Sequence, residues 1–443
     1  MIIENEEVFI IDCENDPAKK IIYLPLRSYL ALVNNEVANE ILGNSDSSRK
    51  SLFFTAMKKR AFLDMIEIID NLHNCNPELS LAITDNCNLR CVYCHASAGE
   101  THKKATMLVN MIDSVIDNYF QSIKPQKNFK INFNGGGEPT YAFVQLKHAI
   151  YKAKEAASKM GSTCKFAMAT NGYYNNEIRQ FIVDNFSQIS LSLDGPAFIH
   201  NLHRPTVSGN ESFSVVFETA KFFYKSNLRF AFRTTISDYS MNYWEEIIDF
   251  FSSEFPSKSI GFEHLNPFGR AINCNDVRIQ LPSKEIFANR LIQILKYAEN
   301  KSIKIINSAS TEYDFIRPVF CSNVGIPNWT INTEGQITAC GRDDAPNEFV
   351  FGKYDFKLNK IVLDQDKLNK LHQMVVTNYP ECVDCFCKYH CAGDCPDRRI
   401  ADKSDCKAII KVGKYVLNQK INQEEVIYGN TISSSTRSSD TVD

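Results

Sequence analysis

Three cysteines, Cys87, Cys91 and Cys94, stand in a C-x-x-x-C-x-x-C spacing directly after the strand-like run Leu79 to Ile83. Three thiolates on one short loop can hold three irons of a cubic 4Fe–4S cluster and leave the fourth without a protein ligand. An open iron is a place for chemistry, as the open position of a catalytic zinc is. The competing reading of a C-x-x-C pair is structural zinc, which wants a second pair nearby. The next cysteine in this chain is Cys164.

Two further runs carry groups suited to a small charged ligand. In Asn134-Gly135-Gly136-Gly137-Glu138-Pro139 the glycines let backbone approach a ligand closely, and Glu138 offers a carboxylate to an ammonium group. A plain turn is the alternative. In Ser190-Leu191-Ser192-Leu193-Asp194-Gly195-Pro196 the side chains of Ser192 and Asp194 are expected on one face of a strand. Polar groups there need partners; a ligand's hydroxyl groups would serve, and so would a loop backbone. Asn171, in Thr170-Asn171-Gly172, is similar in character. Arg204 and Arg233 can each pair a ligand carboxylate bidentately, or form an ordinary salt bridge.

A second set of cysteines lies late in the chain. Cys321 is followed after thirteen residues by Gly335 and after four more by Cys340. Then come Cys382-x-x-Cys385, five residues, Cys391, three residues, Cys395, ten residues and Cys406. With no apolar leader at Met1 to Val8, fifteen cysteines read as metal ligands in a reducing, cytoplasmic setting more readily than as disulfides. A net charge of −3 makes no electrostatic case for nucleic acid or an anionic membrane. No run approaches the roughly 20 apolar residues of a membrane span.

These residues need elements to position them. Strand-like runs at 79–84, 129–134, 165–170, 188–194, 229–236 and 259–265 alternate with helix-like segments at 106–123, 141–159, 175–186, 212–226, 242–254 and 283–301. That alternation predicts a parallel sheet with right-handed crossovers, doubly wound or curled into a barrel. In both, ligands bind at the C-terminal strand ends, where Cys87, Gly136, Asn171 and Asp194 all fall. Residues 1–78 read as a separate small α+β module, with strands near 7–13, 20–26 and 28–33 and helices over 35–42 and 52–72. After about residue 304 helical periodicity fades, and 304–422 reads as a domain held by metal more than by a core. Residues 423–443 read as a disordered tail.

The run Cys87 to Cys94, including the aromatic Tyr93 before the third cysteine, resembles the cluster motif of radical S-adenosylmethionine enzymes. Gly136-Gly137-Glu138-Pro139 is similar to that family's methionine-amino-group motif, and Ser192 with Asp194 to its ribose-binding strand. His200 and Arg204 resemble a His-Asp-x-x-Arg run of part of the family, with Asn201 in place of the Asp. The late cysteines resemble the SPASM domain throughout, with zinc as the competing occupant. The fold this implies is a partial (β/α)6 TIM-like barrel with a small N-terminal α+β module and a C-terminal iron–sulfur (SPASM) domain.

The resemblance implies S-adenosylmethionine on the open iron, contacted by Tyr93, Gly136, Gly137, Glu138, Asn171, Ser192, Asp194 and Arg204. It also implies two auxiliary 4Fe–4S clusters. One is held by Cys382, Cys385, Cys391 and Cys406, and the other by Cys321, Cys340 and Cys395, with an open iron or a non-cysteine ligand. Cys13, Cys75, Cys164, Cys274 and Cys387 are left as inert thiols. The implied activity is hydrogen abstraction from a ribosomally made precursor peptide, giving an oxidative crosslink or thioether. A reductant such as flavodoxin or ferredoxin would supply electrons, and the N-terminal module would grip a leader. An anaerobic sulfatase maturase is the alternative enzyme, but such enzymes carry an Asp directly after the cysteine matching Cys340. Here that residue is Gly341, with Asp343 and Asp344 beyond it. A non-catalytic electron carrier or zinc scaffold is the alternative of another class.

Overall fold

A computed structural model describes residues 1–423 except 44–47, 100–104, 227, 274–275, 277–278, 343–345 and 401–405. The chain starts with a short hairpin, β1 (Ile2–Ile3) and β2 (Glu6–Glu7). An antiparallel sheet of β3 (Phe9–Asp12), β4 (Lys19–Leu24) and β5 (Tyr29–Asn34) follows. Strand alternation divides its side chains cleanly. Ile22, Leu24, Tyr29, Ala31 and Val33 pack under α1 (Asn35–Leu42) and α2 (Ser48–Met57). Phe9, Ile11, Ile21 and Tyr23 face the other way, onto Tyr313, Cys387, Cys391 and Leu417 of the C-terminal region.

The single helix expected over 52–72 is two helices, α2 and α3 (Met65–His73). The chain between them is claimed by tertiary bonds. Leu63 N–H donates to the Leu26 carbonyl (2.8 Å), and the Arg27 guanidinium binds the Arg60 carbonyl (2.7 Å). Asp64 then accepts from the N–H groups of Ile66 and Glu67 and starts the second helix.

The central sheet is built from β6 (Leu79–Leu81), α4 (Val109–Ser122), β7 (Asn128–Phe133), α5 (Phe143–Lys159), β8 (Thr163–Thr170), α6 (Asn176–Asn185) and β9 (Gln188–Ser192). It continues through α7 (Ala197–His203), α8 (Phe213–Lys225), β10 (Phe230–Ile236), α9 (Asp238–Met241), α10 (Trp244–Glu254), β11 (Ser259–His264), α11 (Lys284–Ala298) and β12 (Lys304–Ile306). Neighbouring strands from β6 to β12 are parallel, and their spatial order is their chain order. A doubly wound sheet reverses direction once; this one never does. Right-handed crossovers that all advance one way put every helix on one face and curl the sheet.

The two faces differ in chemistry. Leu79, Leu81, Phe129, Ile131, Phe133, Phe166, Met168, Leu191, Phe232 and Phe262 are buried on the helix side. The inner face carries Asn132, Ala167, Ala169, Ser190, Ser192, Arg233, Thr235, Gly261 and Glu263. A closed barrel fills its interior with bulky branched side chains. Small and polar residues leave this lumen open.

The barrel does not close on itself. The free edge of β6 takes β13 (Trp329–Ile331), in parallel, and β14 (Gln336–Thr338), β15 (Val350–Asp355) and β16 (Lys360–Leu363) extend the sheet antiparallel to eleven strands. The region expected to be held by metal more than by a core also shares one: Trp329, Ile331, Ile337, Phe349 and Phe351 join the core of the barrel. The cysteine-rich end contains α12 (Ser322–Gly325), α13 (Gln365–His372), α14 (Lys388–Cys391), α15 (Pro396–Ile400) and α16 (Cys406–Gln423). The tail expected over 423–443 lies, after Gln423, outside the described residues, as do Cys274, Asp343 and Asp344. Among the described residues no helix is long and apolar enough to cross a membrane.

Candidate functional site

The loop carrying Cys87, Cys91 and Cys94 is held like an extra strand against the segment after α7. Leu89 bridges Thr206, Arg90 N–H donates to the Pro205 carbonyl (2.7 Å), and Val92 N–H donates to the His203 carbonyl (2.9 Å). The Arg90 side chain ties the loop to itself through the carbonyls of Cys87, Leu89 and Gly99. From the far side, Arg270 N–H donates to the Cys94 carbonyl (3.0 Å). Donors also reach the sulfurs: Leu89 N and Asn171 Nδ2 lie 3.4 and 3.6 Å from Cys87 Sγ. Burial, reinforced by the neighbouring thiol charges, pushes Cys87 up to about 12; burial pushes Cys91 up to about 11. Ligation requires thiolates, so metal loading here releases protons.

The glycine-rich loop after β7 lies directly on the cysteine loop. Gly137 N–H donates to the Thr84 carbonyl (2.7 Å), and Glu138 N–H donates to the Asn86 carbonyl (2.9 Å). A Cβ at Gly137 would sit 1.9 Å from the Asn86 oxygen, so only glycine permits this approach. Glu138 is 3% exposed. Its Oε1 accepts from Thr140 N, Thr140 Oγ1 (2.8 Å) and Thr170 Oγ1 (2.8 Å), and its Oε2 from Asn171 N (2.7 Å). Burial raises its pKa, and those four donors oppose the rise. Asn171 bridges onward to Asn88 Oδ1 (2.8 Å). Thr140 and Asn88 were not singled out in the sequence; Thr140 acts only through Glu138, and Asn88 only through Asn171 on another loop.

Asp194 and Arg204 are engaged differently from the expectation that they address a cofactor. The strand ends at Ser192, and Asp194 beyond it is fully buried. Arg204 grips both carboxylate oxygens (2.9 and 3.1 Å). His203 Nδ1 (3.1 Å), the Thr235 N–H (3.0 Å) and the Tyr93 hydroxyl bind it as well. Burial alone would raise the Asp194 carboxyl; the Arg204 guanidinium and His203 more than offset it and hold it well below the carboxylate range. Arg204 Nη1 also lies 3.9 Å from Cys91 Sγ. Asp194, Arg204 and Tyr93 thus brace the cysteine loop. Ser192 and Arg233 are left toward the lumen, adjacent in register on β9 and β10. Among the described residues neither side chain has a hydrogen bond or ion pair. Asn201, where the resembled run has Asp, caps α8 through the N–H groups of Ser212 and Phe213.

The late cysteines gather into two groups that feel one another's charge. Burial raises Cys321, with Cys395 adding to it, and raises Cys340 to about 11, with Cys321 adding. Burial likewise raises Cys382 to about 11, with Cys385 and Cys406 adding, and raises Cys391, with Asp394, Cys385 and Cys406 adding. Cys387, expected as inert, is buried, and the Tyr313 hydroxyl donates to its sulfur at 2.9 Å. Among the described residues no three His, Cys, Asp or Glu side chains converge as ligands of one metal ion.

A shallow recess lies between the barrel edge and the late region, lined by Asp85 and Gly136 on the barrel side and by Thr330, Cys340, Gly341 and Arg342 on the other. Gly341 packs on Gly135, and a Cβ there would lie 3.6 Å from the Gly135 Cα.

Comparison with known proteins agrees with this geometry. Residues 81–251 match the radical SAM superfamily. A cysteine-type anaerobic sulfatase-maturating enzyme of Clostridium perfringens is 25% identical over 229 residues, 51% of this chain and 59% of that relative, so the match spans about three-fifths of the relative's length. The solved structure of native anSMEcpe with bound AdoMet superposes with a TM-score of 0.61 at 19% identity, covering 78% of this chain and 98% of that one. Streptococcus suis SuiB bound to S-adenosylmethionine gives 0.52 at 13% identity, covering 92% and 98%. At these identities the structures speak to fold alone. With a cysteine loop at the C-terminal edge of an open parallel barrel, and a family match over the segment that builds it, this chain carries a radical S-adenosylmethionine superfamily domain.

Proposed function

We propose that the chain is a peptide maturase that abstracts hydrogen from a ribosomally made precursor peptide and forms an oxidative intrapeptide crosslink or thioether. The observation that carries this reading is the combination of the barrel's cysteine loop with two further cysteine groups, with a recess lined by Gly136 and Cys340 between the barrel and the late region. When bound, a 4Fe–4S cluster with S-adenosylmethionine supplies a 5′-deoxyadenosyl radical able to take hydrogen from an unactivated carbon. Cys87, Cys91 and Cys94 hold that cluster. Glu138 Oε2, with a single protein donor, takes the cofactor ammonium, while Ser192 and Arg233 take a hydroxyl and the carboxylate. Cys382, Cys385, Cys391 and Cys406 hold one auxiliary cluster, and Cys321, Cys340 and Cys395 hold another, as a SPASM-type region. Residues 1–78 bind the leader. Both faces of their sheet are covered, so strand addition at an edge is the mode available to an extended peptide.

Anaerobic reconstitution tests the reading. It predicts about twelve irons per chain, the content of three 4Fe–4S clusters, and reductant-dependent formation of 5′-deoxyadenosine. Bound zinc, or no cofactor cleavage, would sink it and favour a scaffold. A second reading, anaerobic sulfatase maturation, is supported by the named relative. Gly341 in place of an acid speaks against it. Incubation with a sulfatase peptide separates the two: formylglycine overturns crosslinking, and loss of a hydrogen pair from a co-expressed precursor supports it.

A further inference from the structure

The N-terminal sheet of β3, β4 and β5 carries apolar side chains on both faces, and an apolar face must be covered to be stable. Its own helices cover one face. The other is covered by α16 and by the segment that holds Cys385, Cys387 and Cys391. That segment has little structure of its own. From Val383 to Cys391 the only helix is α14, four residues long and without a side-chain cap.

Polar bonds join the two parts. His390 of α14 is 2% exposed. Its Nδ1–H donates to the Phe315 carbonyl (3.1 Å) and its ring stacks on Tyr313, with centroids 4.1 Å apart. That leaves Nε2 to accept from the Tyr23 hydroxyl of β4. Glu7 of β2 pairs with the buried Lys388 ammonium, which also donates to the Val383 carbonyl (3.1 Å) inside the turn from Cys382 to Cys385. Leu26 and Met65 share a buried cluster with Cys382. Asn418 of α16, the helix that begins at Cys406, accepts from Glu14 N–H (2.8 Å) and donates to the Asp12 carbonyl (3.3 Å). Each part of the chain that bears Cys382, Cys385, Cys391 or Cys406 is thus tied to the N-terminal module.

We propose that the N-terminal module forms one wall of this auxiliary site, so that filling the site with iron and ordering β3, β4 and β5 are one linked equilibrium, carried by the Tyr23–His390 and Glu7–Lys388 bonds. This rests on the proposed assignment of Cys382, Cys385, Cys391 and Cys406 as ligands. A metal group bound only by the native arrangement stabilises whatever packs against that arrangement. The linkage is reciprocal: if the cluster tightens the sheet, the sheet retains the cluster by the same factor. The consequence for function is an order of events. The module presents an ordered strand edge to a peptide only in an enzyme whose auxiliary cluster is already in place.

The test uses the full chain, metal-free and after anaerobic reconstitution, and reads hydrogen exchange by mass spectrometry together with iron release to a chelator. In the wild type, iron loading should slow exchange of the β4 amides about tenfold, the worth of one hydrogen bond. Tyr23→Phe and Glu7→Gln keep the apolar packing and remove one bond each. Either should erase most of the iron-dependent difference in β4. Either should also speed the release of about four irons, one cluster's worth, about tenfold, while the other irons leave at the wild-type rate. Unchanged exchange in β7 and β8 checks that the barrel still stands. Equal β4 exchange with and without iron in the wild type overturns the proposal, and that comparison needs no substitution. So does wild-type iron release in both variants. Cys382→Ser with full iron content overturns the ligand assignment instead, which separates the two failures.

Discussion

Replacing Asp194 by Asn tests the bracing of the cysteine loop most directly. The substitution keeps the shape of the side chain and removes its charge. Arg204 then stays in place, 6% exposed, without the carboxylate that it grips at 2.9 and 3.1 Å. Charges about 4 Å apart at an effective dielectric of about 20 interact by about 4 kcal/mol. Breaking a buried pair by removing one partner costs about 3–5 kcal/mol, and the two estimates agree. For a domain of this size that is a fall in melting temperature of roughly 6–20 °C. Arg204→Met should cost a comparable amount, and the double variant clearly less than the sum, because neither charge is then orphaned. The assay is a double-mutant cycle by denaturant unfolding of the metal-free chain, with iron uptake of each variant as a second readout. Effects that add to within about 0.5 kcal/mol would refute the coupling. Full iron uptake by Asp194→Asn would refute the claim that the pair braces Cys91 and Tyr93. The pH dependence has a definite sign. The folded Asp194 pKa lies below its unfolded value near 3.9, so its contribution is whole above about pH 5 and is lost as pH falls toward the folded value.

Gly137→Ala places a Cβ 1.9 Å from the Asn86 oxygen, which forces the loops apart by about 1 Å. Displacement of that size costs about a hundredfold where reacting geometry matters, so 5′-deoxyadenosine formation should collapse at unchanged iron content; a wild-type rate would contradict the packing argument. Arg233→Met should weaken S-adenosylmethionine binding about tenfold, the worth of one charged hydrogen bond, without lowering the melting temperature; unaltered affinity, measured by calorimetry, removes Arg233 from the site. The thiols of Cys87 and Cys91 are raised on folding, so the metal-free chain should be fully stable below about pH 8.5 and lose stability as pH climbs toward 11–12. The paired Cys→Ser variant should show a shallower loss between about pH 8 and 10, and equal slopes would argue against the burial of these thiols.

The barrel was legible because its signal is local. Helix-facing strand positions such as Phe129, Ile131 and Phe133 alternate with polar ones, and amphipathic helices follow at regular intervals. The interruption between α2 and α3 was not legible, because the bonds from Leu26 and Arg27 that create it come from the turn between β4 and β5, more than thirty residues earlier. The apolar residues of β13 and β14 carry no label saying that they complete the edge of β6; pairing between Trp329 and Leu79 decides that.

Ligand types and spacings are properties of the chain itself. Cys87, Cys91 and Cys94 lie within one loop, so their number and order already limit what they can bind. Tertiary structure decided which polar groups remain available to a ligand. Asp194 and Ser192 look equivalent as neighbours on a strand. The turn through α7 brings Arg204 and His203 back onto Asp194, while nothing returns to Ser192. A buried carboxylate takes whichever cation the fold delivers, because leaving it unpaired is costly.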